Sequence, residues 1–73
     1  MIEIESKKVS CDKHDGNYVY VHYSIAKEAG IKIGIEFRLN DPFHTQIIVK
    51  DYVNYRNDIC QNFSGFRCRV LTL

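Results

Sequence analysis

Between residues 18 and 40 the hydrophobic period of this chain changes twice, and this constrains the fold more than any other feature. YVYVH at 18–22 alternates, with Val19 and Val21 on one face and Tyr18, Tyr20 and His22 on the other, as in a strand. SIAKEAG at 24–30 then puts Ile25 and Ala29 four apart, on one face of a helix. Ser24 is placed to cap the start, and Gly30 to end the helix in the left-handed conformation with Ile31 folding back on it. IKIGIEFRLN at 31–40 returns to alternation: Ile35, Phe37 and Leu39 point one way, Glu36, Arg38 and Asn40 the other. A helix of about two turns is marginal alone, because isolated helices below ~12 residues do not persist in water. Strands on both sides must hold it.

The flanking sequence supplies those strands. IEIES at 2–6 alternates, and KKVSC continues in extended style. DKHDGN at 12–17 is a polar turn. Asn40-Asp41-Pro42 is another turn, and Pro42 excludes a continuing central strand. QIIVKDY at 46–52 is the next strand, which makes 35–52 a hairpin with a loop of about five residues. Beyond it RCRVLTL reads as a strand, and 58–62 as either a strand or a short helix. The expected fold is mainly β with one short helix.

With 73 residues the chain is one domain. A chain this short buries only about 60% of its unfolded surface, and small folds usually add a disulfide, a metal or a partner subunit. No apolar run approaches the ~20 residues of a membrane span, and MIEIESKK lacks the order of a signal peptide. An intracellular, cytoplasmic protein is expected. Ten Lys and Arg face nine Asp and Glu, so a nucleic-acid role requires the cations to gather on one face. The cysteines stand at 11, 60 and 68, an odd count that argues against a complete disulfide framework. Cys60 and Cys68 flank Ser64-Gly65, so a turn can bring them face to face. A bridge there adds about 2–3 kcal/mol; reducing cytosol favours free thiols.

The run YVYVHYSIAKEAGIKIGIEFRL, followed by QIIVKDY, resembles the swapped-hairpin domain of the AbrB, MazE and SpoVT type. Val19, Val21, Ile25, Ala29, Gly30, Ile31, Gly34, Ile35 and Phe37 fall at the places that family fills with apolar residues and glycine, and His22 stands where it commonly has proline. KKVSCDKHDGN is similar to its basic first strand and polar loop. The resemblance covers roughly residues 6–52. It implies a swapped-hairpin β-barrel formed by an intertwined homodimer, with residues 1–52 as the domain and 53–73 as a C-terminal extension packing on the dimer. Interlocking two copies would roughly double the core and cover strand edges.

It also implies binding of double-stranded DNA as a transcriptional regulator. The candidate contacts are Lys7, Lys8, Lys13, His14 and Lys27 for phosphates, with Asn17 and Tyr18 reaching sugars or base edges. Tyr18, Tyr20 and Tyr23 can stack on bases or flank a β core with their hydroxyls in water. Two alternatives stand beside this reading: an antitoxin gripping a toxin protein through its tail, and an interaction module without nucleic acid. The tail holds Arg56, Arg67 and Arg69 against Asp58, unlike the acidic tails of the antitoxin kind. Cys11 and His14 form at most half a zinc site, without paired local ligands, so no metal or cofactor is expected. The same two residues are the one nucleophile–base suggestion, without an orienting group, so no enzyme is expected.

Overall fold

The computed structural model describes residues 2–11, 17–55 and 63–71. The elements are β1 (Ile2–Glu5), a 3-10 turn (Ser6–Lys8), β2 (Ser10–Cys11), β3 (Tyr18–His22), α1 (Tyr23–Ala29), β4 (Glu36–Asn40), β5 (Gln46–Tyr55) and β6 (Phe63–Val70). The protein is mainly β with one short helix, as the alternation predicts. All strands join one sheet in the order β1-β4-β5-β6-β3-β2. β1 runs parallel to β4, and every other pairing is antiparallel. No helix among the described residues is long and apolar enough to cross a membrane.

The chain path curls this sheet. β1 and β2 lie at its opposite edges, yet only residues 6–9 join them. Five residue steps span at most about 17 Å, so the two edges must approach each other. α1 packs against β6, β3 and β1, and so crosses the mouth of the curled sheet. The concave side holds the core. Val21, Phe37, Ile47, Val49 and Cys68 are fully buried there, with Ile4, Val19, Ala26, Ile31 and Leu39 nearly so. Each large side chain among them contributes about 1.5–3 kcal/mol of transfer free energy. All are buried within a single chain.

The Gly-Ile-Lys-Ile-Gly segment does two jobs. Gly30 sits at φ 77° and closes α1, its N–H donating to the Ala26 carbonyl at 2.9 Å while Ile31 N–H donates to the same oxygen at 3.1 Å. Gly34 sits at φ 87° in a turn closed by Ile35 N–H donating to Lys32 at 3.0 Å. Its own N–H donates to Val49 at 2.8 Å and ties the turn to β5. This turn delays β4 to Glu36 and leaves Ile35 39% exposed, where unbroken alternation from residue 31 places it beside Phe37.

Three further features differ from the sequence reading. His22, not Ser24, caps α1: its Nδ1 accepts from Ser24 N–H at 3.2 Å. The extended N-terminal run breaks at the Ser6–Lys8 turn, which lets one segment serve both sheet edges. The C-terminal run forms a strand as expected, and what the sequence does not show is its central place, with β6 paired to β5 on one side and β3 on the other.

Gly65 marks where β6 meets β3 most closely. A Cβ there would overlap the Val21 carbonyl oxygen and stand 2.9 Å from His22 Cα. Both are backbone atoms and cannot turn aside. Gly65→Ala is expected to cost about 2–3 kcal/mol, read as a lower urea midpoint with an unchanged denaturant slope.

Candidate nucleic-acid interface

The pairing of β6 between β3 and β5 aligns three strands whose outward side chains are aromatic or basic. Tyr18 stands opposite Arg69 and Tyr20 opposite Arg67 across β3 and β6. Arg67 in turn stands opposite Asp51 on β5, one residue beyond an irregularity at Lys50. The even positions of YVYVH and the odd positions of RCRV thus share the convex face, while Val19, Val21 and Cys68 share the core.

Arg67 anchors this face. Its Nε and Nη2 donate to the two carboxylate oxygens of Asp51 at 3.1 and 3.2 Å, a two-pronged contact that fixes the guanidinium. The hydrogen bond from Arg67 to Asp51, followed by the Asp51 charge, raises its pKa further, so it is cationic at every working pH. The guanidinium lies over the Tyr18 ring at 4.8 Å. Beside it Tyr20 meets Phe63 at 5.9 Å and Tyr55 at 6.1 Å, both edge-to-face, and Phe63 meets His22 at 5.8 Å. Arg69 and Lys50 are exposed and make no ion pair among the described residues. A second aromatic chain, Tyr23–Tyr52–Phe66, lies at 6.2 and 5.8 Å beside the helix.

The residues expected from the sequence are placed differently from one another. Lys7 pairs with Glu5 at 3.4 Å and Lys8 with Glu28 at 3.8 Å. Both pairs are exposed and weak, but they interleave cations with acids around the helix. Lys27 is exposed on the last turn of α1 with no ion pair among the described residues. Asn17 and Tyr18 lie at the far end of β3 from α1, about 13 Å of strand away from His22. Lys13 and His14 lie outside the described residues, as does Cys60. Of the expected set, Tyr18 alone joins the aromatic–basic face. Tyr20, which the sequence offers as a stacking ring or a flank of the core, lies on this face too, and Tyr55, Phe63, Arg67 and Arg69 join it without a sequence signal of their own. Alternation in YVYVH and RCRV shows that each run has one polar face, but not that the two runs are neighbours.

Among the described residues no group of three His, Cys, Asp or Glu side chains could hold a metal ion. A half-open cavity of about 200 Å³ lies between β1 and α1, lined by Glu3, Glu5, Lys8 and Glu28 with Ile4 and Ile25 at its base. Its Lys8–Glu28 pair spans the gap. Comparison with protein-family models, with curated proteins and with solved structures gives no match.

Cys68 lies directly beneath this face as a free, fully buried thiol. Burial, and then the Asp51 charge, pushes its pKa from 9.0 up to about 12. The unfolded thiol therefore ionises first. The contribution to stability is complete below pH 9 and is lost as pH rises from about 9 to 12. The loss approaches 1.4 kcal/mol per pH unit at most. Cys68→Ala should lose less stability over that interval than the parent chain, in paired urea titrations. Iodoacetamide at pH 8 should label Cys68 only at the rate of global unfolding.

Proposed function

We propose that this chain is a DNA-binding regulator whose contact surface is the convex face of β3, β6 and β5. The observation that carries this reading is Tyr18 and Tyr20 set beside Arg69 and Arg67, uncovered by any helix among the described residues. Arginines give phosphate contact and counterion release, and aromatic rings give contact to sugars and bases. The resemblance to the AbrB type supports a regulator and supplies its fuller form: duplex DNA, two intertwined copies, and added phosphate contacts from Lys7, Lys8, Lys13, His14, Asn17 and Lys27. A swapped pair keeps the same strand neighbours while exchanging which chain provides them, so each copy of the convex face is preserved and the two are related by a two-fold axis.

The second reading is a protein-interaction module, of which a toxin-binding antitoxin is one form. Phe43 favours it. This side chain is 83% exposed at the tip of the β4–β5 loop. The loop is stiff: Asp41 accepts from Phe43 N–H at 3.0 Å, Thr45 N–H at 3.2 Å and the Thr45 hydroxyl at 3.0 Å.

Mobility shift of a mixed-sequence DNA at two salt concentrations separates the readings. Retardation at about 50 mM salt that falls steeply by about 200 mM is the expected result. Arg69→Gln should weaken binding at both concentrations and reduce the salt slope by about one. No retardation at low salt would remove the regulator reading and leave the interaction module.

A further inference from the structure

We propose that the convex face binds unpaired, single-stranded nucleic acid, with bases stacked on the Arg67 plane and on the Tyr20–Phe63 ring cluster. This rests on the nucleic-acid part of the reading above, and names an unpaired strand in place of the duplex that the AbrB resemblance supplies. The first argument is electrostatic. The chain carries a formal charge of +1. On this face Arg67 is already matched by Asp51, which leaves Arg69, with Lys50 exposed at the adjoining irregularity of β5, as the nearby cations without an ion pair among the described residues. Two phosphate contacts make a poor grip on a duplex, whose affinity grows with the number of phosphates neutralised. Stacking is the larger resource, at about 1–3 kcal/mol per base.

The second argument is geometric. The convex face is a sheet surface, and no described helix projects from it into a groove. Bases in a duplex are stacked on each other and cannot lie flat on it, whereas unpaired bases can. Arg67 is built as a platform rather than as a phosphate clamp. Asp51 holds its edge and Tyr18 lies beneath it, so the opposite side of the guanidinium plane is the one available for stacking. Tyr20 is one strand step of about 7 Å from Tyr18 and leads to Phe63 and Tyr55. Arg69 stands opposite Tyr18 at the border of this track, where it can meet the backbone that links successive bases. The alternative use of these rings is cross-strand packing alone. In that case substitutions would alter stability without altering binding.

The test uses the full chain and four labelled probes read by fluorescence anisotropy at about 50 mM salt. They are a 12-nucleotide oligothymidylate, the matching oligouridylate, an abasic strand with the same number of phosphates, and a blunt duplex of the same length. At least one of the two base-bearing single strands should bind ten-fold or more tighter than both the abasic strand and the duplex, and the better of the two tells DNA from RNA. Arg67→Lys, which keeps the charge and loses the plane, should weaken that strand about ten-fold and leave the abasic strand unchanged. Equal binding of the abasic strand, or tighter binding of the duplex, would overturn this inference while the nucleic-acid reading stands. Failure of all four probes to bind would remove both. The probe comparison on the unmodified chain decides the matter even where a variant does not fold.

Discussion

The seating of β6 between β5 and β3 is the constraint on which the other features depend. Without it β3 and β5 have no common neighbour, and the sheet separates into β1-β4-β5 and β3-β2. β6 pairs with β5 over Ile47–Tyr55 and with β3 over Tyr18–His22. A strand paired on both edges must present small or apolar groups inward and tolerate close backbone approach. Cys68 and Gly65 meet these needs: one is fully buried, and the other stands where no side chain fits against Val21 and His22. On the outward side the same seating puts Arg67 within reach of both Asp51 and Tyr18.

The N-terminal segment completes the enclosure by a different device. Ser6–Lys8 form a single 3-10 turn, with Val9 N–H donating to Ser6 at 3.3 Å, and this bend redirects the chain from one sheet edge to the other. β1 then covers β4 in parallel, with Glu3 opposite Arg38 and an ion pair between them at 3.1 Å. Such an exposed pair adds little energy; the buried Ile4 against Leu39 and Phe37 contributes more. α1 closes the mouth by turning Ala26 fully inward, with Ile25 and Ala29 half-buried beside it. A short helix suffices because it is held on both sides and needs only one apolar face.

Features fixed by local chemistry were legible in the sequence. The strands at 18–22 and 46–52, the helix ended by Gly30, and the turn at Asp41-Pro42 all follow from period and capping. Where reading failed, the deciding interaction was non-local or depended on one side chain's reach. His22 caps α1 because its ring nitrogen can bend back to Ser24, a role that capping preferences assign to Ser, Thr, Asp or Asn. Ile35 leaves the core because Gly34 is bonded to Val49, fifteen residues away. The convex face was half legible: alternation grouped Tyr18 with Tyr20 and Arg67 with Arg69, but their adjacency crosses almost fifty residues and rests on which strand lies beside which. The N-terminal lysines look like a patch in the sequence because proximity along the chain does not show Glu28 of α1 folding against Lys8.

The most direct measurement is the set of cross-strand proton contacts of β6 by nuclear Overhauser spectroscopy on labelled protein. The account predicts contacts from Tyr20 to Arg67 and Val19 to Cys68 on one side, and from Val49 to Cys68 and Tyr52 to Phe66 on the other. Direct contacts between β3 and β5, or a β6 with a neighbour on one edge only, would contradict it and dismantle the aromatic–arginine face.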